Sequence, residues 1–367
     1  MLSKFSFILI LTISFFLFPS YSKAQETAPK PPREETIEAV IVKVTNEKII
    51  EPDGREQLHQ ILQLNVTKGS IKGKKITIEN GNLNQINVQK YEVDDKVLAT
   101  FSKDFDGKDI FYLQDYIRRD WLYLLFAIFI GVVVVIGAKR GVAALVGMAF
   151  SFFVIFAFIL PQISAGHDPI LIAILASIAI IPVTFYLTHG FNRKTSTAIA
   201  GTFIALIITG ILATIFVTVT RLSGFSSEEA GFLQAEQGGV INVKGLLLAG
   251  IIVSVLGILD DITVSQASVV HQLKKLSPHL TFMQLYAKAM EVGRDHIASV
   301  VNTLVLVYAG AAMPLFLLFT NSSRPFGQVI NHEVIAEEII RTLVASIGLI
   351  LAVPITTVLT AYFIKKK

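Results

Sequence analysis

Residues 121–138 read WLYLLFAIFIGVVVVIGA, eighteen positions without one charged side chain. At about 1.5 Å of rise per residue, a helix of this length covers most of a roughly 30 Å hydrocarbon core. Trp121 and Tyr123 stand at its start, where amphipathic aromatic rings anchor at a membrane interface. Similar runs follow at residues 141–160, 169–187, 195–220, 245–259 (extendable to Val270), 297–319 and 339–364. The reading is an α-helical polytopic membrane domain over residues 118–367, with about seven transmembrane helices and the lipid bilayer as its first partner.

Upstream of this domain the periodicity changes. Residues 37–44 alternate apolar and polar side chains, and so do 59–69, 74–81, 95–101 and 109–114. Pro52-Asp53-Gly54-Arg55 is a turn signal between the first two runs. Short strands separated by turn residues predict a small all-β domain over 36–117, of barrel or OB-like type. Residues 25–35, QETAPKPPREE, read as a linker. Residues 1–24 carry a secretory signal: Lys4, an apolar run from Phe5 to Phe18, and Ser22-Lys23-Ala24 as a small-x-small cleavage site. The alternative is an uncleaved anchor.

Composition narrows the function classes. Of 367 residues, 53% are hydrophobic and 16% charged, against about 25% charged in soluble domains. Cysteine is absent, which removes disulfides, thiolate metal sites and cysteine nucleophiles. The net charge of +4 is not a nucleic-acid footprint, because the excess sits in short loops between apolar runs. The β domain carries 13 basic and 16 acidic residues between 25 and 117. Its basic stretch from Lys68 to Lys75 reads as a solvated turn.

A cleaved signal places residues 25–120 outside, so the first span runs inward. The loops then expected in the cytoplasm hold Lys139, Arg140, Arg193, Lys194, Lys274, Lys275, Lys288, Arg294 and Lys365 to Lys367, eleven in all. The outer loops and flanks hold Arg118, Arg119, Arg221, Lys244 and Arg324, five. Positive charge stays on the cytoplasmic side, so the two cues agree. The expected location is a bacterial cytoplasmic membrane, with the N-terminal domain outside and the C-terminus inside.

Polar chemistry enters the spans between residues 245 and 319. The fifth run has 15 apolar residues before Asp260 and Asp261, about 22 Å of helix. A helix that continues places Asp261, Ser265, Ser268 and Gln272 on one stripe. The sixth span opens with Asp295, Ser299 and Asn302 at i, i+4 and i+7. The candidate polar cavity is therefore Asp260, Asp261, Ser265, Asp295, Ser299 and Asn302. Ionisable groups at membrane depth point to an ion or proton path. The bland alternative has the aspartates capping a cytoplasmic helix and Asp295 pairing with Arg294. In "HGFNRKT", residues 189–195, Thr195 reads as a helix cap beside a glycine turn.

These same stretches carry a resemblance. GILDDITVSQASVVHQL at 257–273, LYAKAMEVGRDHIASVVNTLVLVYAGAAMPLFLLF at 285–319 and HGFNRKT resemble the YibE/F family of bacterial membrane proteins. The similarity is read from Val40 to the C-terminus, including VTKGSIKGKKITIENG and YEVDDKVLATF. It implies a multi-pass membrane protein and names no substrate.

The expected function is a small-solute or ion transporter or channel. The alternative is a membrane-anchored scaffold or sensor whose exported β domain binds an extracytoplasmic protein partner, alone or as a homo-oligomer. No HExxH, GxSxG or P-loop occurs in the chain, so no enzyme activity, cofactor or metal is expected.

Overall fold

The computed structural model describes residues 34–50, 56–82, 88–104, 107–236, 238–320 and 324–364. The signal segment, most of the linker, the Pro52–Arg55 turn signal and the terminal lysines lie outside the described residues. The chain divides into two compact units, residues 23–131 and a second built mainly from 132–367.

The first unit holds an antiparallel five-stranded sheet: β1 (Glu35–Ile50), β2 (Gln57–Lys68), β3 (Lys75–Asn80), β4 (Lys96–Lys103) and β5 (Asp109–Tyr116). The strand order is β3-β2-β1-β4-β5. β1 pairs with β4 along one edge, over residues 35–40, and with β2 along the other, over 38–50. Irregularities in the β1–β2 register at Glu38/Ala39, Ile41/Lys43 and Val44/Asn46 add local twist, and the sheet curls into a half-barrel. The period-2 alternation buries Ile37, Ala39 and Ile41 against Leu62, Leu64 and Val66. Gln60, fully buried on β2, holds the Tyr91 backbone at both ends: its Nε2 donates to Tyr91 O at 2.9 Å and its Oε1 accepts from Tyr91 N at 3.0 Å. Glu38 accepts from the Arg119 guanidinium through both carboxylate oxygens. That fork, foremost among its neighbours, holds the Glu38 carboxyl below its ordinary range.

The helices are α1 (Arg119–Val154), α2 (Leu160–Ser164), α3 (Pro169–His189), α4 (Arg193–Val219), α5 (Glu228–Glu236), α6 (Val243–Leu276), α7 (Phe282–Ala311), α8 (Met313–Thr320), α9 (Phe326–Val329) and α10 (Glu333–Ile364). A π segment, Ile155–Ile159, joins α1 to α2. Pro161 explains it. Proline has no N–H and its ring crowds the carbonyl four residues back, so Leu160 N–H reaches the Ile155 carbonyl instead.

Among the described residues, five helical stretches are long and apolar enough to cross a bilayer, or six when α7 and α8, bent by 70°, count as one broken span. The first and second spans expected from the sequence form one of the five, Arg119–Ser164. It is broken at Ala138, with φ 48° and ψ −131°. A Cβ on Gly141 would lie 2.2 Å from the Val133 carbonyl oxygen. Eight residues along a straight helix span about 12 Å, so the chain doubles back here, between the two runs. The apolar faces of α1 are turned outward: Trp121 is 75% exposed, and Leu125 and Phe126 are also exposed. Contiguous apolar surface of this kind suits a lipid environment.

α4, α6 and α10 form the packed centre of the second unit, with Ala205, Leu259, Leu349 and Ala352 fully buried. α4 and α10 run antiparallel in a fixed register. Thr197 meets Thr360 through a 3.0 Å hydroxyl hydrogen bond. One turn on, a Cβ at Gly201 would lie 2.3 Å from Thr356 Oγ1, and further along, one at Gly348 would lie 2.0 Å from Thr209 Oγ1. The same register puts Ala205 opposite Ala352. Small residues every fourth position thus bring the two backbones together over about three turns, the packing used where lipid supplies no hydrophobic drive between helices.

α10 begins six residues before the sequence-derived boundary at 339 and brings acidic and basic groups with it. Arg341 pairs with Glu337 at 2.6 Å and Glu338 at 2.9 Å. Glu333 accepts from Ser223 N, Ser223 Oγ and Gly224 N, and Glu337 accepts from Ser226 Oγ. These carboxylates fasten the segment after α4 onto the start of α10.

Candidate functional site: a carboxylate-lined cavity between α1, α3 and α6

α6 runs without a break through Asp260 and Asp261 to Leu276. Asn242 caps it, accepting from Gly245 N at 2.9 Å. Successive helical residues are 100° apart, so the face a residue occupies follows from its neighbours' contacts. Gln266 points into the bundle, donating to Ala289 O on α7 at 3.0 Å and to Thr357 Oγ1 on α10 at 2.7 Å. Asp261, five positions earlier, lies about 140° away from Gln266 and is exposed, as is Ser265. On α7, Ala289 and Gly293 face α6 and α10; a Cβ on Gly293 would lie 2.6 Å from Val353 Cγ1. Asp295, Ser299 and Asn302 are turned well over 90° from Gly293 and are exposed. The two stripes do not face each other across the α6–α7 contact.

Asp260 is placed differently. It is half-buried and lines a cavity of about 390 Å³ with Gly257 beside it on α6. The second arm of α1 supplies Ala144, Gly147, Met148, Ser151 and Phe152; Ile155, the first residue of the π segment, closes that side. α3 supplies Thr184 and Thr188, one turn apart. A π turn next to a polar cavity is a frequent mark of a functional site. His189, at the end of α3, is within electrostatic reach of Lys194, Arg140 and Asp261.

Each of the three hydroxyls is bonded to its own helix. Ser151 Oγ donates to Gly147 O at 3.1 Å, Thr184 Oγ1 to Ile180 O at 2.9 Å and Thr188 Oγ1 to Thr184 O at 2.7 Å. Sequence reasoning missed all three, because they are single hydroxyls inside apolar runs. The spacing of Thr184 and Thr188 after Pro182 was the available signal. The cap of α4 also moves: Asn192, not Thr195, is the N-cap, its Oδ1 accepting from Thr195 N at 2.9 Å. Gly190, at φ 77°, makes the turn that precedes it.

A second polar layer lies within the bundle. Thr202 on α4 and Thr263 on α6 share a 2.8 Å hydroxyl hydrogen bond, both fully buried. With Gln266 and Thr357 they stitch α4, α6, α7 and α10. Among the described residues, no group of three or more His, Cys, Asp or Glu side chains is placed to hold a metal ion.

A half-barrel sheet followed in sequence by helices of membrane-crossing length and composition defines the class: a protein with a β unit and a second unit whose apolar helices suggest membrane embedding. The chain belongs to the YibE/F-like protein family, whose sequence model matches residues 125–366. The match covers the helical part; the resemblance drawn from residues 40–124 lies outside it. No curated protein and no solved structure matches the chain.

Proposed function

We propose that this protein is a transporter or channel for a small solute or ion, working through the Asp260 cavity, and not an enzyme. Counting the two arms of α1 separately and α7–α8 as one broken span gives seven passes. With the charge bias of the loops, this reading puts the β unit outside and the C-terminus in the cytoplasm of a bacterial inner membrane. The observation that carries the proposal is Asp260: a carboxylate half-buried among apolar helices, on a cavity with three hydroxyls. Charge at membrane depth is costly and is retained where it has work to do.

Flux through proteoliposomes tests it. The full-length protein should speed uptake of a small cation or solute from a defined panel, and Asp260→Asn should abolish that uptake at equal reconstitution. Empty-vesicle rates across the panel would sink the proposal. The second reading, a scaffold or sensor, is supported by the folded β unit, which we read as an OB-like barrel opened between β3 and β5. Under that reading a partner co-purifies with the β unit and Asp260→Asn is silent.

A further inference from the structure

We propose that the Asp260 cavity is a binding site for a monovalent alkali cation. The inference deepens the transport reading and rests on it only in taking this cavity as the working site. It follows from hydrogen-bond bookkeeping. A hydroxyl has one hydrogen to give and two lone pairs to offer. A backbone carbonyl only accepts, so in each bond from Ser151, Thr184 and Thr188 the hydroxyl is the donor. Their hydrogens are committed to their own helices, and what remains for the cavity is oxygen lone pairs. Ionised Asp260 also only accepts. The remaining lining is apolar or glycine.

A cavity with acceptors and no side-chain donors discriminates by sign. An anion, a carboxylate-bearing solute or a sugar would leave its own acceptor oxygens unpaired, which is expensive away from water. A hard cation is matched by carboxylate and hydroxyl oxygens. Charge then selects valence. Among the described residues of the lining, Asp260 is the one ionisable side chain, and a single negative charge is neutralised by a single positive one. A divalent ion would leave an excess charge in a low-dielectric setting. The volume of about 390 Å³ admits the ion with part of its water shell.

The test uses full-length protein purified in detergent micelles. Thermal unfolding is followed in sodium, potassium or lithium chloride and in choline chloride at matched ionic strength. A ligand that binds only the folded state raises Tm with its concentration. At least one alkali ion should raise Tm saturably over choline. Asp260→Asn should remove the response, and Asp261→Asn should keep it. Thr188→Val, which preserves shape and removes one oxygen, should weaken the apparent affinity about tenfold. Equal Tm in alkali and choline salts, an undiminished response in Asp260→Asn, or a stronger response to magnesium or calcium overturns the proposal. If Asp260→Asn does not survive purification, the Thr184→Val and Thr188→Val titrations decide, and unchanged affinity in both overturns it. Alkali binding without proteoliposome flux sinks the transport reading and leaves the site standing. Asp260-dependent flux of a solute with no alkali response does the reverse.

Discussion

Gly201 of α4 sits against Thr356 of α10, so close that a Cβ on the glycine would fall 2.3 Å from the threonine Oγ1 and 3.3 Å from its Cα. Backbone, not a flexible side-chain end, forms the second wall, so the neighbour cannot swing away. Gly201→Ala is expected to destabilise the helical unit by about 1–3 kcal/mol, read as a lowered Tm in micelles. Gly348→Ala should do the same against Thr209 Oγ1, at 2.0 Å. A Tm unchanged in both would mean that the helices are not in this register. Thr356 Oγ1 is buried without a hydrogen-bond partner, so Thr356→Val should be neutral or stabilising by up to about 1 kcal/mol.

Gln266 spends both amide hydrogens inside the bundle, on Ala289 O and Thr357 Oγ1. Gln266→Leu leaves the Ala289 carbonyl to its helix alone and removes the tie between α6 and α10. The expected loss is about 1–3 kcal/mol. The companion change Thr357→Val should cost less in the Gln266→Leu background than alone, because the shared bond is already gone. Additive losses in this double-mutant cycle would deny the coupling.

Tyr91 is 4% exposed in the β unit, with its ring 4.5 Å from that of Tyr116. Burial, with lesser contributions from Tyr116 and Asp115, pushes the phenol up from 10.0 to about 12. The folded state therefore holds the proton that the unfolded chain releases near pH 10. The stabilisation is fully present below about pH 10 and is lost as pH rises toward 12. Burial also raises the neighbouring Tyr116 phenol, so absorbance titration of full-length protein should show both Tyr91 and Tyr116 ionising later than ordinary phenols, Tyr91 near pH 12. In Tyr91→Phe the step near pH 12 should be missing. A late-titrating amplitude that does not fall in Tyr91→Phe assigns the step near pH 12 elsewhere.

Sidedness is testable with reporter fusions. Fusions at Gly190 and Lys367 should read cytoplasmic, and one at Ser323 should not, because the loop cations fall eleven to five toward the cytoplasmic side. A cytoplasmic reading at Ser323 would reverse the last two passes.

What the chain reveals by itself depends on how local the cause is. Alternation at 37–44 buries Ile37, Ala39 and Ile41 through a two-residue period, so the sheet was readable without its partners. The doubling-back near Ala138 was readable too, because Lys139 and Arg140 interrupt two apolar runs. Asp260 stood out as a charge in an apolar run, and it does reach a cavity. Its partners did not stand out. Ser151, Thr184 and Thr188 come from helices α1 and α3, and only tertiary packing brings them to α6. The grouping with Asp295, Ser299 and Asn302 assumed that two polar stripes on adjacent helices face each other. In the fold, Ala289 and Gly293 occupy that face, because close helix contact favours small residues over charged ones. The α4–α10 register was hidden for the same reason: its glycines and threonines are spaced by four in each helix, but the pairing of the two helices is not a local property.

The seam of Thr197, Gly201, Ala205 and Thr209 against Thr360, Thr356, Ala352 and Gly348 has a mechanical consequence. Two helices this close cannot roll past one another, since any rotation drives a bulkier neighbour into a gap one atom wide. They form a fixed post, and α6 is pinned to it by Thr202–Thr263 and Gln266–Thr357. The Asp260 cavity lies about a quarter-turn round α6 from the Thr263 and Gln266 contacts, where the second arm of α1 and α3 complete the wall. Of the cavity's walls, the one that carries the carboxylate is the one bonded to this post, at Thr263 and at Gln266.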